Sequence, residues 1–283
     1  MLASRIALSS LICLTSALPA TAQRGKEPPV LIPPGAGTEA SSEQQTAQES
    51  GTTIVGGAEE LTTSRQPRSL PEKIKLPYSG NRKIIDVNGN SISSTELNQL
   101  VAYYQSFRPG SMDLMLRDAV EALLPPKVME IRYRDDLPAM KKRIEEALSA
   151  IRSGEMSWDN AVAEYSDDYD EDNSEGKYVF GRENAVQPFD RFSHTGRVGQ
   201  IHGPFLTVYG YHFLEILDYE RATTATDDLS TVRHVLVMYP DLKKRDAANE
   251  NIRSFIKAQV RMAKITVLEH GAKNLLAPPK KVD

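Results

Sequence analysis

Residues 199–218, GQIHGPFLTVYGYHFLEILD, constrain the fold of this chain more than any other stretch. β-Branched and aromatic residues flank Tyr209-Gly210, so the stretch reads as two antiparallel strands, 203–208 and 211–218, joined at a tight turn. The ribbon carries one inward-placed histidine, His212, with the hydroxyl of Thr207 close to it across the strands. Such a pair has two readings: a structural histidine whose partner satisfies a buried polar group, or part of a reactive polar floor.

The rest of the chain is read by local pattern. Residues 1–22 hold one basic residue, Arg5, an apolar run at 6–18 and the small-residue exit Ala20-Thr21-Ala22. This is the layout of a secretory signal peptide, because the run is shorter than the roughly 18–20 residues needed to cross a bilayer. A retained N-terminal segment is the alternative. From 23 to 80 the composition turns to Pro, Gly, Ser, Thr, Gln and Glu, with too few apolar side chains to offset the ordering entropy of the chain, and a disordered linker is expected. Cys13 is the only cysteine, so the chain beyond residue 22 has no disulfide, no cysteine nucleophile and no cysteine metal ligand.

Ordered structure is expected from strand 83–87, followed by the hairpin signal Asn88-Gly89 and a helix opened by the capping box Ser93-x-x-Glu96. A second helix, 112–124, is expected to stop at Pro125-Pro126. Strict alternation then reads as a strand at 127–133, before helices at 137–152 and 158–165. After the ribbon come an apolar strand within 229–239, a helix at 244–262, a strand at 264–268 and a basic tail at Lys280-Lys281.

Several segments share one resemblance. Pro204, Thr207, Gly210, Tyr211 and His212 stand in the register P-V-x-T-x-x-G-Y-H, with Phe189 upstream, and Ala147, Ile151, Gly154, Trp158, Ala161, Val162, Tyr165, Ser166 and Asp167 match a second stretch. Together they resemble a parvulin-type (PpiC) peptidyl-prolyl isomerase. Val87, Asn88, Gly89, Ile92, Ser93, Glu96 and Leu97 are similar to the start of the helical chaperone module that precedes this domain in secreted parvulins of the SurA and PrsA type. The resemblance implies an α+β fold: a parvulin-like four-stranded antiparallel sheet with surrounding helices, an α-helical N-terminal module and a C-terminal helical arm. The expected divisions are a signal peptide at 1–22, a linker at 23–80, a helical module at 81–126, the parvulin-like domain at 127–220 and the arm at 221–283.

The resemblance further implies a catalytic set of His212, Thr207 and Asp168. The substrate wall it implies comprises Phe189, Ala185, Phe205, Tyr209 and Tyr178. Two departures accompany it: the family's first-strand histidine falls on Glu130, and its socket methionine on Ala185. Arg233-His234-Val235-Leu236-Val237 resembles the R-H-I-L-V that opens a parvulin domain, and is read as part of a C-terminal arm packing on the N-terminal helices or as a decayed second repeat, with His234 structural. The function implied is peptidyl-prolyl isomerisation of unfolded or proline-containing exported polypeptides. The rival is a catalytically degenerate module that holds extended chains without isomerising them.

Partners and cofactors follow from charge and spacing. A net charge of −4 leaves no basic face for nucleic acid. Asp168, Asp170 and Asp172 alternate as in a calcium loop, but the glycine and the closing glutamate of such a loop are absent, so a solvated acidic loop is expected and no metal. No cofactor is expected, no membrane span once the signal is cleaved, and a secreted or periplasmic location.

Overall fold

The computed structural model describes residues 66–68, 70–71, 74–248, 250–269, 272 and 275–276. The signal segment expected at 1–22, most of the linker and Lys280-Lys281 lie outside the described residues. Two buried cores organise what is described.

The first core begins with β1 (Lys83–Val87) and β2 (Asn90–Ser93). Asn88 and Gly89 join them at φ of 52° and 91°. An Asn-Gly pair tolerates two successive positive φ values, the backbone that tightens a two-residue hairpin. The Ser93 side chain accepts from the Glu96 N–H and the Glu96 carboxylate from the Ser93 N–H, which starts α1 (Ser94–Gln105). A strand from the far end of the sequence, β7 (Ile265–Val267), pairs with the open edge of β1. The module expected to be α-helical therefore carries a three-stranded sheet, ordered β2-β1-β7.

The second helix does not stop at Pro125-Pro126, and 127–133 is not a strand. A single helix, α2 (Met112–Arg132), runs through both prolines. Buried Leu116, Val120, Leu124 and Val128 recur every four residues across them, so one apolar stripe spans the break. A proline inside a helix costs about 3 kcal/mol, whereas burying a side chain the size of Val128 or Met129 recovers about 1.5–3 kcal/mol each. Val128 faces the first core and Met129 the second, which makes α2 the spine shared by both. Period-two alternation at 127–133 was a local coincidence that two-sided helical burial overrides.

The second core is built on α3 (Leu137–Ser153), α4 (Trp158–Tyr165), β3 (Lys177–Gly181), α5 (Phe189–Thr195), β4 (Ile201–Leu206), β5 (Gly210–Glu220) and β6 (Leu229–Met238). Its sheet is four-stranded and antiparallel in the order β3-β6-β5-β4, with β4–β5 the expected ribbon. β6, read from sequence as part of an arm or a decayed repeat, lies in the middle of that sheet, paired with β3 on one side and β5 on the other. Helices α3 and α4 and helix α5 all pack on it, and its apolar run Val235–Met238 is buried accordingly. The helix expected at 244–262 is two: α6 (Pro240–Ala247) and α7 (Ile252–Met262), the second capped by the Asn251 side chain, which accepts from the Ser254 N–H. α7 packs back on α2, as expected of the arm.

Candidate active site

The site is assembled by strand register. Gly210 opens β5 at φ 148°, and a Cβ there would sit 2.1 Å from the Val237 carbonyl oxygen, so only glycine lets β5 start this close to β6. The register that follows sets His212 opposite Leu236 and Leu214 opposite His234. His212 and His234 are thus diagonal neighbours on one face. Their rings stack 5.5 Å apart, and Nδ1 faces Nδ1 at 3.3 Å.

A polar chain extends from this pair in both directions. His212 Nε2 lies 2.9 Å from Thr207 Oγ1, which also accepts from the Tyr209 N–H. His234 Nε2 lies 3.3 Å from Asp168 Oδ2. Ser166 donates to Asp168 Oδ1, and Tyr178 donates to Oδ2 at 3.4 Å. Ser166 in turn accepts from the Leu236 N–H, which ties the aspartate loop to β6. Phe189 stands edge-on to both imidazoles, with ring centres 5.5 and 5.2 Å away, and Phe205 stacks parallel to His212 at 6.0 Å.

Electrostatics gives the chain a polarity. Burial pushes His212 well below the usual histidine range, the charge of His234 acts the same way, and Asp168 opposes both only in part. Burial alone would raise Asp168, but His234, His212 and the Ser166 hydroxyl together hold it below the ordinary carboxylate value. With a neutral His212 and an ionised Asp168, one arrangement pairs both nitrogens of His212: Thr207 O–H donates to His212 Nε2, and His212 Nδ1–H donates to His234 Nδ1. That leaves the His234 Nε2–H facing the carboxylate.

Six of the eight residues singled out from sequence converge here: His212, Thr207, Asp168, Phe189, Phe205 and Tyr178. Tyr209 contributes its backbone N–H, while Ala185 is buried in the same core. The expected loss of the paired histidine is overturned. Glu130 belongs to α2 and shares Lys127 with Glu96, whereas the partner of His212 is His234. Sequence reading missed His234 and Ser166 as members; the signal for the first was Arg233-His234-Val235-Leu236-Val237, in a strand after which only residues 240–283 remain, without the later motifs of a parvulin domain. The alternate carboxylates of the acidic loop do not converge: Asp168 turns into the core, and Asp170 caps the short turn Glu171–Asn173. Among the described residues no group of three or more His, Cys, Asp or Glu could hold a metal ion, and no helix is long and apolar enough to cross a membrane.

Residues 115–218 match the family model of the rotamase, described as a PPIC-type PPIASE domain. This chain carries a parvulin-type rotamase domain. No curated protein and no solved structure matches the chain. The rotamase match covers α2 through most of β5 and ends before β6. The strand that supplies the second histidine of this candidate site therefore enters from beyond the matched stretch. A strand resembling the one that opens parvulin domains here follows the ribbon and takes a central place in the sheet, between β3 and β5.

Proposed function

We propose that this chain is a secreted or periplasmic foldase that speeds X–Pro isomerisation in unfolded, exported polypeptides. The observation that carries the reading is the Asp168–His234–His212–Thr207 chain with Phe189 edge-on against both imidazoles. Isomerisation breaks no covalent bond; its barrier of about 18–20 kcal/mol is the amide resonance lost on twisting. In the twisted amide the nitrogen regains its lone pair and can accept a hydrogen bond. An aromatic wall that grips a pyrrolidine ring, beside preorganised polar groups in a dry setting, favours that form over the planar one. Each 1.36 kcal/mol of such preference is worth about tenfold in rate. The N-terminal apolar run supports export.

One observation favours the rival reading of a non-catalytic holding module. Phe189 is 1% and Ala185 6% exposed, so the proline socket is closed over. A protease-free assay on a tetrapeptide containing Ala-Pro separates the two. The isomerase reading expects relaxation faster than the uncatalysed rate at micromolar protein, and slower relaxation with Phe189→Leu. A native rate equal to background, with suppression of aggregation of an unfolded client intact, supports the rival instead.

A further inference from the structure

A cleft of about 220 Å³ lies between the α1–α2 pair and the α5 side of the second core, and neither histidine of the pair lines it. One wall is the α1–α2 pair, the other α5, the loop before it and Leu206 of β4. Two groups on the rotamase wall lack the partners that groups so placed ordinarily have. Gln187 is 7% exposed; its amide nitrogen donates to Asp190, but its Oε1 accepts from nothing among the described residues. Arg191 is half-buried with its guanidinium 4.5 Å over the Phe192 ring, and no carboxylate among the described residues pairs with it. Burial pushes the pKa of Arg191 down, with only the Tyr103 side chain acting the other way. A buried acceptor left without a donor is destabilising, and a half-buried guanidinium is the group best suited to grip a carboxylate in a two-bond fork.

The opposite wall limits what can fill the gap. Glu96 and Glu130 share one cation, Lys127, at 2.8 and 3.7 Å, so that wall keeps an excess of one negative charge. Leu100, Leu123 and Pro126 beside them are apolar. The volume equals about seven waters at roughly 30 Å³ each, enough for a side chain and a short run of backbone. A small inorganic anion would satisfy Arg191 but leave Gln187 and the apolar wall unmet. An extended peptide supplies a carboxylate, a backbone N–H and apolar flanks within one or two residues.

We propose that this cleft binds an extended polypeptide segment through one Asp or Glu side chain flanked by apolar residues, with Arg191 holding the carboxylate and Gln187 accepting a backbone N–H. The site rests on, and deepens, the reading of the chain as acting on polypeptide clients, and names a contact that holds a client through groups other than the histidine pair. The negative excess on the facing wall sets its specificity: a single carboxylate is favoured and a run of them is not.

The test is fluorescence anisotropy of the full chain with three labelled, proline-free, C-terminally amidated peptides: Ala-Leu-Asp-Leu-Ala, its Asn counterpart, and a version with three successive Asp. The Asp peptide should bind about tenfold more tightly than the Asn peptide, a difference of about 1.4 kcal/mol, and the triple-Asp peptide no more tightly than the single. Arg191→Gln should abolish the Asp preference; if that variant does not fold, Arg191→Lys serves, keeping the charge without the fork and reducing the preference to a few-fold. Equal binding of Asp and Asn peptides, or a preference that survives Arg191→Gln, overturns the proposal. A chain that discriminates the peptides but leaves X–Pro relaxation at background loses only the isomerase reading, and one that isomerises without discriminating loses only this site.

Discussion

Asp168 and Asp190 are both sealed from water, and burial penalises the ionised form of each, yet they end on opposite sides of the ordinary carboxylate range. Asp168 faces His234 at 3.3 Å, with His212 behind it and the Ser166 hydroxyl on its other oxygen, and together these partners outweigh burial. Asp190 receives only neutral donors: the Tyr103 hydroxyl at 2.7 Å, the Gln187 amide and the Glu183 N–H. Burial carries Asp190 up to about 7, with the Glu183 carboxylate adding to it, while the Tyr103 hydroxyl and the charge of Arg182 oppose it only in part. His194, 3.9 Å away, offers no charge because burial and the nearby Arg182 push it down to about 3. The lesson is that the summed strength of a buried carboxylate's partners, more than its depth, decides which way it shifts. One aspartate anchors the polar chain of the histidine pair; the other latches α1 to α5 and titrates near neutrality.

The largest expected effect breaks this contrast at Asp190. Its folded pKa lies above the unfolded value, so its contribution to stability is complete below about pH 4 and is lost as pH rises through about 7. Asp190→Asn, which mimics the protonated form, should match the native chain near pH 4 and exceed it at pH 8 by up to about 4 kcal/mol, read by urea unfolding. A flat difference across that range would place the carboxylate in an ordinary environment.

Asp168→Asn should show the opposite slope. Its folded pKa is lowered, so its contribution is present above the unfolded carboxylate value and disappears as pH falls through the folded one. At pH 7 the loss of hydrogen bonds to a charged group should cost about 2–3 kcal/mol and slow X–Pro relaxation. Native and variant chains should converge in stability in acid.

Thr207→Val sharpens the comparison within the rotamase site, since it removes the donor to His212 Nε2 while keeping the shape. A loss of about 1–2 kcal/mol is expected from the unsatisfied imidazole nitrogen, with a proton resonance shift at His212 visible by NMR. Tyr103→Phe should be the mildest, about 1 kcal/mol at pH 8 where Asp190 is ionised and less at pH 5, because it deletes one donor of three.

Much of the local framework was legible before any coordinates. The Asn88-Gly89 turn, the Ser93–Glu96 capping box and the β4–β5 ribbon all depend on groups within a few residues of one another. So does the pairing of Thr207 with His212, five residues apart across the ribbon turn. The failures were non-local. Pro125-Pro126 reads as a stop until Val128 and Met129 find two separate cores to fill. His234 reads as structural until β6 slots beside β5 and sets it against His212. Nothing near Asp190 in sequence announces Tyr103, which lies 87 positions earlier.

By itself, then, the sequence determined the turns, the caps, the ribbon and the residue types of a rotamase site, because each is decided by contacts a few residues long. Only the tertiary structure decided that a strand from beyond the ribbon completes the sheet, that a second histidine joins the first, and that two buried aspartates part ways. Those outcomes depend on which charges and apolar faces distant segments bring together, and energies of that kind exist only once the chain has closed on itself.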